Sequence, residues 1–170
     1  MKVLGIDPGT AVLGYGVVES GSGQHPKLVE CGTLTTRGRD PLPSRLRVLY
    51  DGIGALLSRH SPSTLAVESA FYGRNVRTAV VLSHARGVIL LAAEIAGVGI
   101  AEYSPALIKK TIVGRGAALK PQVSYMVAQL LRLKSPPSPE DAADGVAVAL
   151  THLMIATRRA AFARQLASPE

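Results

Sequence analysis

The chain of 170 residues has a single cysteine, Cys31. That excludes an internal disulfide and any cysteine-rich zinc site, and it fits a reducing compartment. Histidine offers no zinc site either. His25, His60, His84 and His152 are scattered and none forms an i, i+4 pair with another, as two helical zinc ligands would. Long apolar runs are also lacking: the longest, Val88 to Ala101, is interrupted by Glu94 and is too short to span a bilayer. The amino terminus carries one lysine and then a strand-like run, without the apolar block and cleavage site of a secretory signal. We expect a cytoplasmic protein with no membrane attachment, and we find no internal repeat.

What is present is a globular composition, 47% hydrophobic and 18% charged, long enough for one domain that buries about 70% of its unfolded surface. Residues 1–170 are expected to form that single domain, with 160–170 as a frayed tail. Nineteen Lys and Arg against twelve Asp and Glu give a net charge of +7, which suits a polyanionic partner.

Short apolar runs punctuated by turns predict a meander of three strands. The first, Val3 to Ile6, ends in Asp7-Pro8-Gly9, and a second run resumes at Leu13. After Ser20-Gly21-Ser22-Gly23 comes a third, Lys27 to Thr36. Pro41 to Ser44 opens a helix with Leu46, Leu49, Ile53, Leu56 and Leu57 at helical spacing, ending near His60. Thr64 to Val67 reads as a buried strand followed by Glu68. A long helix, Asn75 to Gly97, is apolar on more than one face, which predicts burial on both sides, in the core or between subunits. A fifth strand, Val98 to Tyr103, two shorter helices from Pro105 and Pro121, and a last helix from Glu140 to about Arg158 complete the order. This is an α/β pattern with a five-stranded mixed sheet, the later parallel pairings needing crossover helices.

The acids sit at element ends. Asp141 and Asp144 share one helix face three residues apart. Ser138 as N-cap with Asp141 as a capping-box acid would explain the first of them. It would not explain Asp144, a full turn further in among Ala142, Ala143 and Gly145. Asp7, Glu68, Asp141 and Asp144 together, in a cationic protein, favour a site of hard oxygen ligands suited to Mg²⁺, with Mn²⁺ able to substitute. Two such ions about 3.5–4 Å apart serve phosphodiester hydrolysis.

The ordered segments Gly5-Ile6-Asp7-Pro8-Gly9, Gly14-Tyr15-Gly16, Leu42-Pro43-Ser44-Arg45-Leu46, Val67-Glu68-Ser69-Ala70-Phe71, Ala85-Arg86-Gly87-Val88, Lys110-Thr111-Ile112-Val113-Gly114, Asp141-Ala142-Ala143-Asp144 and Thr151-His152 resemble the RuvC family of Holliday-junction resolvases, whose fold is ribonuclease H-like. The resemblance implies paired, metal-dependent cuts in four-way DNA junctions, in recombination and repair. It places the four metal-binding acids at Asp7, Glu68, Asp141 and Asp144; some members have histidine where this chain has Asp141. It further implies a homodimer through the long helix and delivery of the junction by a branch-migration motor. Phe71 would stack into the junction, Lys109 and Lys120 would lie beside the scissile strand, and Arg74, Arg77, Lys110 and Arg115 would contact phosphates.

Overall fold

In the first strand, alternation sends Leu4 and Ile6 to one side of a sheet and Val3 and Gly5 to the other, the two-residue period of a strand covered on both faces. The computed structural model describes residues 1–21, 25–69 and 76–167, with the side chains of Arg77 and Ala167 left out. Three antiparallel strands, β1 (Lys2–Asp7), β2 (Val12–Ser20) and β3 (Pro26–Thr35), form the meander. Then come α1 (Leu42–His60), β4 (Thr64–Glu68), α2 (Val76–Ile95), β5 (Gly99–Tyr103), α3 (Pro105–Val113), α4 (Lys120–Leu130) and α5 (Glu140–Ala167). The sheet order is β3-β2-β1-β4-β5, with β4 parallel to both β1 and β5. The expected five-stranded mixed sheet is what forms.

Each face carries its own core. On one side Leu4, Ile6, Val17, Leu65 and Val67 meet Leu49 and Ile53 of α1 and Ile89 of α2. On the other, Val3, Val18 and Ala66 meet Val146, Leu150 and Leu153 of α5, backed by Ile108, Ile112, Val123 and Val127 of α3 and α4. Serine and glycine set the limits of α3: the Ser104 hydroxyl accepts from the Leu107 amide at 3.3 Å, and Gly114 closes the helix at φ 91°, a left-handed conformation that favours glycine.

Three details depart from the sequence reading. The first bonds of α5 run from the amides of Ala142 and Ala143 to the Pro139 carbonyl, which puts Pro139, and not Ser138, at the N-cap position before Glu140. The helix also continues past Arg158 to Ala167. Its packed part ends near Leu153, and an alanine- and arginine-rich run of good helix formers, exposed from Thr157, carries it on. Finally, of the two places expected for the faces of α2, the core of the chain takes only one: Ala85, Ile89, Ala92 and Ala93 enter it, while Val76, Val80, Leu91 and Ile95 are exposed on the single chain. By length and composition Thr78–Ile95 and Glu140–Leu166 could each cross a bilayer, yet both helices pack on this sheet.

Candidate active site

Asp7 ends β1 and Glu68 ends β4, and the strands run parallel with Ile6 beside Val67. The carboxylates therefore leave the sheet side by side. Both fall on the α5 face by alternation with Ile6 and Val67, which belong to the opposite core.

The second pair arrives because the sheet presents glycine where the first turns of α5 cross it. A methyl on Gly14 of β2 would overlap the carbonyl oxygen of Asp141. One on Gly145 would lie 2.5 Å from the Tyr15 Cα, a spacing that cannot be relieved by rotating a side chain. Backbone rests on backbone, and the first turn of α5 comes down over the ends of β1 and β2. One oxygen each from Asp7, Asp141 and Asp144 then lies within 4.8 Å of the others. Glu68 stands outside that trio, one strand further across the sheet.

Charge binds the four together. Burial first, then the charges of Glu68 and Asp144, push the Asp7 carboxyl up to about 7, against a smaller opposing pull from Lys120. Burial and then Asp144 raise Glu68 above the usual carboxylate range, while Lys120 and Lys109 act downwards. Lys120, at the first position of α4, places Nζ 2.9 Å from Asp144 Oδ2 and 3.9 Å from Glu140 Oε1. Its hydrogen bond to Asp144 raises its own pKa. A carboxyl raised by burial and by neighbouring anions, as Asp7 and Glu68 both are, is a signature of functional sites. All the donors are hard oxygens, which fits a divalent cation of the Mg²⁺ type.

Of the other residues singled out, Lys110 is exposed in the last turn of α3 and Arg115 is exposed in the loop to α4. Phe71 and Arg74 lie outside the described residues, and Arg77 is placed in the first turn of α2 without a described side chain.

Sequence reasoning missed Tyr103. It ends β5 directly opposite Glu68 in the register, its carbonyl accepts from the Ser69 amide at 2.8 Å, and its hydroxyl lies 2.8 Å from His152 Nδ1 on α5. Burial and Arg159 lower the His152 pKa, so the ring is neutral near pH 7. The signal was present in the sequence: Tyr103, like Asp7 and Glu68, is the last residue of an apolar run.

A mixed sheet of this order, with carboxylates at the ends of two adjacent parallel strands and two more on a helix laid across them, defines a ribonuclease H-like nuclease. The family model for crossover junction endodeoxyribonuclease RuvC matches residues 3–152. A relative from Syntrophomonas wolfei with that description is 47% identical over 153 residues, covering 90% of this chain and 88% of its own. One from Chloroflexus aurantiacus is 47% identical over 152 residues, 89% and 92% of the two chains. Among solved structures, Thermus thermophilus RuvC superposes with a TM-score of 0.85 at 36% identity, covering 93% of this chain and 96% of that one. The same protein in complex with a Holliday junction substrate also gives 0.85, at 33% identity. The chain belongs to the RuvC family of crossover junction endodeoxyribonucleases.

Proposed function

We propose that Asp7, Glu68, Asp141 and Asp144 form one Mg²⁺-binding centre that hydrolyses phosphodiester bonds at four-way DNA junctions in the cytoplasm. The observation that carries this reading is the oxygen trio of Asp7, Asp141 and Asp144 within 4.8 Å, with Glu68 beside it on the next strand. A pair of divalent ions held there would supply an activated water and stabilise the leaving oxygen; Mn²⁺ would fit the same donors. The chain's own contribution is to fix four carboxylates on two strand ends and one helix. Lys120 neutralises part of their charge through Asp144. Lys109, near enough to act on Glu68, lies where the scissile strand would run. Lys110 and Arg115, with Arg74 and Arg77, supply phosphate contacts that hold the substrate without reading its sequence. Phe71, three residues after Glu68 in the sequence, would stack at the junction centre.

The reading includes a homodimer. Val76, Val80, Leu91 and Ile95 are more than half exposed and recur on one face of α2. Gly87 lies among them with open space where a Cβ would be. A second copy placed there about a two-fold axis would bury that face and present two identical centres to opposing strands. Leu91, rather than the half-buried Val81 or Leu82, is therefore the position for a disruptive charge. Delivery of the junction by a branch-migration motor belongs to the same reading.

The test is cleavage with Mg²⁺ on a four-way junction, an RNA–DNA hybrid and a linear duplex. We expect the junction to be cut and the others spared. Asp7→Asn and Glu68→Gln should each lose about 10³-fold or more of the rate, several kcal/mol of transition-state stabilisation, while junction binding in Ca²⁺ is retained. Near-normal cleavage by either variant removes that acid from the centre. Leu91→Glu should sediment as a monomer and make unpaired nicks.

A further inference from the structure

We propose that the turn between β3 and α1 is a second, sequence-independent DNA contact, in which Arg37 and Arg39 grip the phosphates of one duplex arm on the side of the acids away from Lys109 and Lys120. The proposal rests on the nuclease reading above and adds a binding surface to it.

The turn is built onto the segment between β1 and β2 that follows Asp7. Thr36 continues from β3, its amide donating to the Ala11 carbonyl at 2.9 Å and its hydroxyl to the Thr10 carbonyl at 2.5 Å. Arg45, in the first turn of α1, reaches back and donates from Nε to the same Thr10 carbonyl and to Thr36 Oγ1, both at 3.1 Å. Thr10 is three residues from Asp7. The Asp40 amide closes the turn on the Arg37 carbonyl at 2.9 Å. Arg45 is thus committed to bracing, while Arg37 and Arg39 are exposed. Neither is in ion-pair reach of any described carboxylate, Asp40 of the same turn included.

Two unpaired guanidiniums on a braced turn match the geometry of phosphate oxygens, which arginine binds in a fork. Their place in the sheet says which phosphates. β3 lies two strands from β1, a lateral step of about 10 Å, or about three nucleotides at 3.4 Å per step along a strand. α3, which carries Lys109 and Lys110, follows β5, two strands from β1 on the other side. The acids therefore lie midway along a basic track, and a phosphate backbone held at both ends is held over the cleavage centre.

The experiment is junction affinity against salt in Ca²⁺, for the full chain and for a double variant, Arg37→Ala with Arg39→Ala. A second pair, Lys27→Ala with Lys134→Ala, removes the same net charge elsewhere on the surface, Lys27 lying at the far end of β3. We expect the arginine pair to reduce the slope of log K against log salt by about 1.8 and to weaken binding roughly 10- to 60-fold at 0.1 M salt. Cleavage by the lysine pair at saturating protein should stay within a factor of two. Arg37→Lys with Arg39→Lys should restore most of the slope. The lysine pair should change the slope by less than half as much. An unchanged slope, or an equal loss from both pairs, overturns the proposal while leaving the carboxylate centre in place. If the unaltered protein neither binds nor cuts junctions, the nuclease reading falls and this one with it.

Discussion

The two faces of the sheet are packed by different means. Against α1 and α2 the strands present Leu4, Ile6, Leu65 and Val67, and large side chains interdigitate. Against the first turns of α5, β1 presents Gly5 and β2 presents Gly14 and Gly16, and the helix answers with Gly145, so main chain lies on main chain there. Side-chain packing adapts to small volume changes, because rotamers and helix positions can shift a little. Backbone contact has nothing to rotate. On the α5 face the stretch nearest the four carboxylates is the one seated on backbone, with the side-chain core of Val3, Val18, Val146 and Leu150 beyond it, and a seat without adjustable parts is what an arrangement accurate to a fraction of an ångström requires.

That contrast yields the largest expected effect. Gly14→Ala or Gly145→Ala must push α5 off the sheet, carrying Asp141 and Asp144 away from Asp7. Overpacking usually costs about 1–3 kcal/mol, and against rigid backbone the upper end or beyond is expected, with cleavage lost even where the chain stays folded. Ile53→Val on the opposite face should cost about 1 kcal/mol and leave cleavage intact. Denaturant unfolding and junction cleavage of the three variants measure the difference. A Gly14→Ala protein of full activity and unchanged stability would erase the distinction between the faces.

A second test concerns the cost of crowding acids on the rigid face. With its carboxyl raised from an ordinary 3.8 to about 7, the folded chain without metal binds a proton at Asp7 that the unfolded chain releases. Between about pH 4 and pH 7 the unfolded state then carries fewer protons, so stability falls as pH rises through that window. The gap corresponds to at most about 4 kcal/mol, less in proportion to Asp7's partial exposure. Asp7→Asn should flatten this decline and make the metal-free protein more stable at pH 8 while abolishing cleavage. Added Mg²⁺ should restore stability at pH 8 in the unaltered chain but not in the variant. Thermal unfolding from pH 4 to 8 reads both, and a decline unaltered by Asp7→Asn would show that the buried, crowded group responsible is not Asp7.

Much of this was legible beforehand because it is local. A two-residue period ending in an acid marks Asp7 and Glu68, and a three-residue helical spacing marks Asp141 and Asp144, so the four could be chosen before any contact was known. The small residues Ala142, Ala143 and Gly145 already pointed to close packing of α5 on a sheet, but its seat was hidden, since Gly5 and Gly14 have meaning only once a helix more than a hundred residues distant in sequence crosses the first strands. The outer face of α2 was ambiguous for another reason. A helix apolar all round has no direction, and only the packing of Ala85 and Ile89 shows which side turns outward. Tyr103 and His152, 49 residues apart, could not be paired from sequence at all.

That pair gives the smallest effect and separates backbone from side-chain positioning on the α5 face itself. Tyr103 stands beside Glu68 and ties β5 to α5 through one hydrogen bond of 2.8 Å, whereas Gly14 and Gly145 seat α5 through main chain. If backbone contact fixes the centre, Tyr103→Phe should cost about 1 kcal/mol of stability, the net worth of a partly buried hydrogen bond, and slow cleavage by less than about tenfold, since 1.4 kcal/mol is tenfold at most. His152→Ala should cost somewhat more, because it also removes the edge-to-face ring contact, centroids 5.9 Å apart. The double variant should fall short of the sum by about the hydrogen-bond energy, as residues in direct contact do. A Tyr103→Phe loss rivalling that of Gly14→Ala would mean instead that Glu68 is held by this side-chain bridge. The position of Glu68 would then depend on β5, the edge strand, and not on the glycine seat of α5.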